Sequence, residues 1–294
     1  MKKQISATYI PFLLTFAGFI AIYSFLNWYY ILEPVSDSIS KDFTNFWLPF
    51  LLPLLPVFVV FLIFLKPSKG NWIRFSWQVL LATICIIPAS LLAQSYLETA
   101  TGKITALDDI SHLNQYPKTK YYTLKNYYID KSNASIYTTC KMINAGWDFQ
   151  IFVACPVYKC QSDTSSKVVE AWLTKKYFKN IGRLNSGAEH LMKEEKFWKD
   201  SLNAFDQFDM NSFRYLERTP HDSFFPYFEK TIKMAVKYDS KQPILLLNPQ
   251  KEIFEERNGN KLFWLILSFI LGNGFFLMIL YFLNEGYSRK RIAS

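Results

Sequence analysis

Residues 261–283, KLFWLILSFILGNGFFLMILYFL, restrict the fold of this chain more than any other stretch. A helix needs about 20 apolar residues, at about 1.5 Å each, to cross a hydrocarbon core about 30 Å thick. Three further apolar runs precede residue 100, over residues 9–32, 45–65 and 75–97. A polar stretch of residues 98–260 lies between the third run and the fourth. The expected fold class is an α-helical membrane protein with four transmembrane helices. One extracytoplasmic α+β domain, residues 98–260, is inserted between helices 3 and 4. Residues 261–294 then hold the fourth helix and a basic cytoplasmic tail.

Charge gives the orientation. The net charge is +9, a value also found in nucleic-acid binders. Here much of the excess sits beside the apolar runs: Lys2 and Lys3, then Lys66, Lys69 and Arg74, then Arg289, Lys290 and Arg291. The loop over residues 33–42 is acidic. That pattern follows the positive-inside rule and argues against a nucleic-acid groove. Both termini are expected in the cytoplasm and the polar domain outside. The first run is too long for the apolar core of a signal peptide and has no small-x-small cleavage site after it. Trp28, Tyr29 and Tyr30 at its end read as an interfacial belt.

The polar domain alternates between strand and helix signals. Residues 118–130 are strand-like and rich in Tyr and Thr, and residues 134–142 follow across a turn as a hairpin partner. Residues 147–158, WDFQIFVACPVY, read as a third strand, with Pro156 near its end as on an edge. Residues 168–178 are a fourth candidate. Residues 187–208 have helical spacing, 212–217 read as a short strand, 224–238 as a second helix and 243–247 as a last strand. About six strands and two helices suffice for one core.

The candidate functional residues lie mainly in the membrane runs. Pro49, Pro53 and Pro56 each remove a backbone donor and should kink or loosen the first half of the second span. A static packing helix or a gate would both use such a kink, and the packing role is the plainer reading. Gly272 and Gly274 permit close backbone approach, and Asn273 between them could hydrogen-bond a neighbouring helix. In the polar domain, His190 and Glu194 stand one helical turn apart, but a solvated face explains them without a metal. Glu252, Glu255 and Glu256 read as a solvated juxtamembrane stretch, and Asn133-Ala-Ser135 fits a glycosylation sequon. Tyr121, Tyr122, Tyr127 and Tyr128 could form a stacking platform, although neighbours in a strand face opposite sides and half of them then belong to the core. Cys140, Cys155 and Cys160 allow one disulfide or three free thiols. No catalytic, cofactor-binding or metal-binding residues are assigned.

Asn45-Phe-Trp-Leu-Pro-Phe with the later prolines, Lys118-Thr-Lys-Tyr-Tyr-Thr-Leu-Lys-Asn-Tyr, and Ile244-Leu-Leu-Leu-Asn-Pro running into Phe254-Glu-Glu-Arg-Asn-Gly-Asn resemble the amino-terminal extension of rhomboid-family membrane proteins from Bacteroidota. Proteases of that family use a Ser–His dyad within the membrane, the Ser in a GxSG motif. This chain has no GxSG; its three histidines, His112, His190 and His221, lie in the polar domain, and Ser268 has no histidine in the membrane runs. A serine hydroxyl needs such a base. The resemblance therefore implies the extension without the rhomboid protease domain, set in a bacterial inner (cytoplasmic) membrane with the main domain in the periplasm. The expected function is a non-catalytic integral membrane protein whose external domain binds or presents a ligand or partner. The alternative is a regulatory or substrate-recruiting part of a rhomboid-type protease supplied by another chain. The expected partners are the lipid bilayer and another membrane protein or a protease, with no nucleic acid and no cofactor.

Overall fold

The computed structural model describes residues 2–32, 43–65, 67, 72–143, 146–165, 169–182, 187–219, 222–235 and 244–292. They fall into two compact units, residues 1–102 with 255–294, and residues 103–254.

The first unit is a helix bundle. Its elements are α1 (Lys2–Asn27), α2 (Leu48–Leu51), α3 (Leu54–Leu65), α4 (Trp72–Ala100) and α7 (Lys261–Ile292). Four spans are long and apolar enough to cross a membrane: Ile5–Tyr30, Phe43–Leu65, Trp72–Ala100 and Phe254–Leu283, with mean hydropathies of 1.9, 2.8, 1.9 and 2.2. Phenylalanines fill the centre. Phe12, Phe16, Phe61 and Phe276 are fully buried. The Phe12 and Phe276 ring centroids are 4.0 Å apart, and those of Phe16 and Phe269 are 4.6 Å apart.

The prolines of the second span act where their chemistry demands. The helix is interrupted at Leu52–Pro53, between α2 and α3. Leu55 N–H turns to the Leu52 carbonyl at 3.3 Å, and Val57 N–H reaches the Pro53 carbonyl at 3.2 Å. Pro49, Pro53 and Pro56 are spaced four and three apart, so they share one helix face. Pro49 and Pro53 are buried on that face, with Val57 and Phe61 continuing it. By contrast, Pro88 sits within α4 without ending it. Two π-helical turns, Trp28–Leu32 and Phe43–Trp47, flank the acidic loop.

The second unit is α+β. Its strands are β1 (Ile104–Asp109), β2 (Tyr121–Asn126), β3 (Tyr128–Ile129), β4 (Ser135–Ile143), β5 (Gly146–Tyr158), β6 (Ala171–Ile181), β7 (Tyr215–Arg218) and β8 (Leu246–Gln250). They form one mixed sheet in the order β1-β2-β7-β8-β6-β5-β3, with β4 also paired to β5. The pairs β1–β2 and β6–β8 are parallel and the others antiparallel. Helix α5 (Gly187–Gln207) covers one face and α6 (Phe225–Lys233) the other.

Strand β5 shows why the sheet is buried on both sides. Phe149, Ile151, Val153, Cys155 and Val157 pack in the α5 core, while Phe152, Ala154 and Tyr158 pack in the α6 core. This alternation is the two-residue period of a strand. It also corrects the edge position expected from Pro156. Strand β5 is interior, and Pro156 pairs with Trp172 of β6 on one side. On the other side its carbonyl accepts from Asp130 N–H at 3.0 Å. There β3 gives way to β4 through the turn Lys131–Asn133, so no ladder bond requires the missing N–H.

Other expectations shift in detail. β1 has no counterpart in the sequence reading. The strand placed at 212–217 begins at Tyr215, and the one placed at 168–178 runs to Ile181. α6 ends at Lys233, and residues 236–238 of the expected helix lie outside the described residues. Tyr121 and Tyr122 are both buried, at 1% and 3% exposure, because both sheet faces are covered. They face opposite sides as expected. Tyr121 meets Tyr215 and Phe254 edge-on, and Tyr122 enters the α5 core. Neither is free to stack a ligand.

Candidate functional site

The sheet face under α6 carries a polar cavity of about 310 Å³. Thr174 and Lys176 come from β6, Glu217 from β7 and Asn248 from β8, while Asp222 and Phe224 stand at the start of α6. Each is placed by strand alternation or by a turn. Lys176 is opposite Phe152 in the β5–β6 register, which aims it at the α6 side. Its ammonium sits 3.0 Å above the Phe224 ring centroid, a cation–π contact. Burial pushes this ammonium below the usual lysine value, and the Asp222 and Asp148 carboxylates oppose that. Among the described residues no carboxylate lies within ion-pair distance of it.

The acidic groups nearby are already engaged. Asp222 Oδ1 accepts from the N–H groups of Phe224 and Phe225, at 2.9 and 3.1 Å, and so holds the turn that leads into α6. Glu217 receives Lys120 at 3.3 Å and the Gln250 amide at 3.1 Å. Thr174 donates to the Leu247 carbonyl at 3.2 Å. Lys176 is therefore a cation with an aromatic wall and unspent donors. A cavity of this size falls at the small end of the ~300–1,000 Å³ typical of small-molecule sites.

A second cluster brings together a thiol, an imidazole and a carboxylate that are distant or unassigned in the sequence. Cys140 Sγ lies 3.5 Å from His190 Nε2, and His190 Nδ1 lies 3.6 Å from Glu194 Oε2. Cys140 is opposite Phe149 on the α5 face, and the His190 ring is wedged against Trp147 and Phe149, at centroid distances of 4.5 and 5.2 Å. The His190 side chain is thus partly buried, at 21% exposure, while that of Glu194 stays 46% exposed on the solvated side of the helix. The order thiol, imidazole, carboxylate is that of a cysteine hydrolase. The electrostatics run the other way. Burial, then Glu194 and Asp148, push the Cys140 thiol up, so it stays protonated at neutral pH. Cys155 is buried in the α5 core and pushed up to about 12, Cys160 is exposed, and all four cysteines are free. The 50-residue separation of Cys140 and His190 left no local signal of their meeting.

A third polar group is structural. Asp109 is buried at the end of β1 and accepts from the Ser111 hydroxyl, from Lys159 at 2.9 Å and from Ser111 N–H at 3.0 Å, with His112 at 3.3 Å. The Ser111 hydroxyl and the Lys159 ammonium, working against burial, hold its carboxyl at about 2. A carboxyl depressed below its unfolded value of about 3.9 stabilises the fold above that pH. The contribution is lost as pH falls through about 2. Asp109→Asn should therefore cost about 1–2 kcal/mol at pH 7. It should also flatten the loss of stability between about pH 4 and 2, read by fluorescence-monitored unfolding. Parallel acid profiles for the variant and the parent would assign that slope to other carboxylates.

The membrane candidates resolve individually. Gly272 lies against α4, where an added Cβ would meet the Cys85 carbonyl oxygen at 2.7 Å and Phe16 at 3.1 Å. Gly274 has open space around it, so close approach belongs to Gly272 alone of the two. Among the described residues Asn273 bonds no neighbouring helix: its amide donates to the Phe269 carbonyl of its own helix at 2.8 Å. Asn133 is held in its turn by Asp130 at 2.7 Å, and Glu255 and Glu256 are exposed. His221 lies outside the described residues. Among the described residues no three His, Cys, Asp or Glu side chains gather where a metal ion could be held.

The bundle and sheet define a multi-pass membrane protein class with an α+β region. Set against known proteins, the chain matches no protein family, no curated protein and no solved structure. The likeness to rhomboid extensions rests on the quoted stretches of sequence.

Proposed function

We propose that this is a non-catalytic inner-membrane protein whose α+β domain faces the periplasm and binds a small carboxylate-bearing ligand, such as an amino acid or a peptide end. The observation that carries the reading is Lys176, an ammonium without an ion-pair partner among the described residues, set against Phe224 in the cavity under α6. A carboxylate beside it would offset the cost of its partial burial. Thermal unfolding of the detergent-solubilised chain tests this, with a dipeptide carrying either a free or an amidated carboxyl end as probes. The free acid should raise the midpoint and the amide should not, and Lys176→Met should abolish the difference. An equal response to both probes, or an unchanged response in Lys176→Met, would sink the proposal.

The orientation is supported by the charge asymmetry around the spans. Single cysteines placed at Asp108 and Lys179 should react with a membrane-impermeant maleimide in intact spheroplasts. Cysteines at Lys69 and Arg289 should react only after permeabilisation. Labelling at Lys69 from outside would invert the topology. The alternative role beside a rhomboid-type protease calls for co-purification of such an enzyme with the chain.

A further inference from the structure

The cavity under α6 presents an anion as well as a cation. Lys176 enters it from β6, and Asp222 from the turn before α6. The Asp222 carboxylate is near enough to oppose the effect of burial on the Lys176 ammonium, yet the two form no ion pair. Each keeps hydrogen-bonding capacity to spare. The Lys176 ammonium lies 3.0 Å from the Phe224 ring centroid and 5.4 Å from that of Phe178, and spends none of its three donors on a described residue. Asp222 holds the Phe224 and Phe225 N–H groups through Oδ1 alone. Its side chain is half-buried, and Oδ2 accepts from no described residue and is open to solvent.

The other carboxylate in the lining is already spent. Glu217 Oε1 faces Lys120 at 3.3 Å, and Oε2 accepts from the Gln250 amide at 3.1 Å. An incoming cation therefore finds its free acceptor at Asp222. Phe224 and Phe228, one helical turn apart, supply an apolar wall beside both charges.

Resting on the reading of Lys176 as a carboxylate receptor, we infer that the cavity is a site for a free α-amino acid. Lys176 takes its carboxylate, Asp222 Oδ2 takes its ammonium, and Phe224 and Phe228 pack on its side chain. An α-amino acid carries both charges on one carbon, so it can bridge a cation and an anion that are near each other without touching. A peptide end offers the same carboxylate, but its nitrogen is acylated and uncharged, and it engages Lys176 alone. The volume of about 310 Å³ suits a ligand at the small end of the usual range.

The test uses the full chain in detergent. The common L-amino acids are screened singly by thermal shift, and the best of them is titrated calorimetrically beside its N-acetyl derivative and its amide. The free amino acid should bind at least about ten-fold more tightly than the N-acetyl form, since a hydrogen bond to a charged group is worth that much. Asp222→Asn keeps an oxygen for the Phe224 and Phe225 N–H groups and should leave the melting temperature unchanged. It should bring the free and N-acetyl forms to equal affinity. Equal affinity in the parent, with the amide inert, would overturn the ammonium site and leave the carboxylate reading standing. An amide as tight as the free acid would overturn the carboxylate reading and the bridging ligand together. A chain that no amino acid stabilises, but that a dipeptide acid does, would overturn the amino-acid site alone.

Discussion

Gly272→Ala is expected to destabilise the helix bundle by about 2–3 kcal/mol, as overpacking at a rigid contact does. The new methyl would stand 2.7 Å from the Cys85 carbonyl oxygen and 3.1 Å from the Phe16 ring. A side chain could rotate away, but a backbone carbonyl inside α4 cannot. Relief would require α7 to move off α4, which would also part Phe16 from Phe269 and Phe12 from Phe276. Gly274→Ala, two residues along the same helix, meets nothing within 4 Å and should be neutral or stabilising by up to about 1 kcal/mol. Thermal unfolding of the two variants in one detergent is the comparison. Equal midpoints would mean that α4 and α7 do not approach as closely as described.

The second large effect is expected for Phe152→Ala, at about 3–5 kcal/mol. Phe152 is fully buried on the α6 face of β5, between Tyr137 and Lys176 in register. Its ring meets Tyr227 at 5.0 Å, Phe228 at 5.1 Å and Phe224 at 6.3 Å. Removing it takes away much of the surface on which the nine-residue α6 rests. A helix of that length has little stability of its own. The variant should therefore be cut by protease around α6 well before the rest of the sheet domain opens, and should lose the carboxylate response proposed for Lys176. Uniform proteolysis, or an intact ligand response, would show that α6 is held from elsewhere.

How much of this was legible depends on the range of each interaction. The apolar spans were readable because their length and composition are local properties of the chain. The break at Leu52–Pro53 was readable too, because proline acts on the carbonyl four residues before it. β1 was not, since ITALDD shows no clean alternation and becomes a strand through parallel pairing with β2. Pro156 misled for a related reason. A proline is tolerated inside a sheet when its missing N–H falls at a change of neighbour, and the Asp130–Pro156 contact that marks the place joins residues 26 apart.

The candidate sites divide in the same way. Gly272 was marked by its small size in an apolar helix, yet only packing separated it from Gly274. Nothing local could show Cys140 beside His190, or Lys176 over Phe224. By itself the sequence determined four apolar helical spans and a polar region with mixed strand and helix periods. Tertiary structure alone decided the order of the sheet, the interior place of β5 and the polar cavity under α6. Hydrophobic length and period are written residue by residue, whereas strand pairing and helix packing are choices among distant segments, made by which surfaces bury best together.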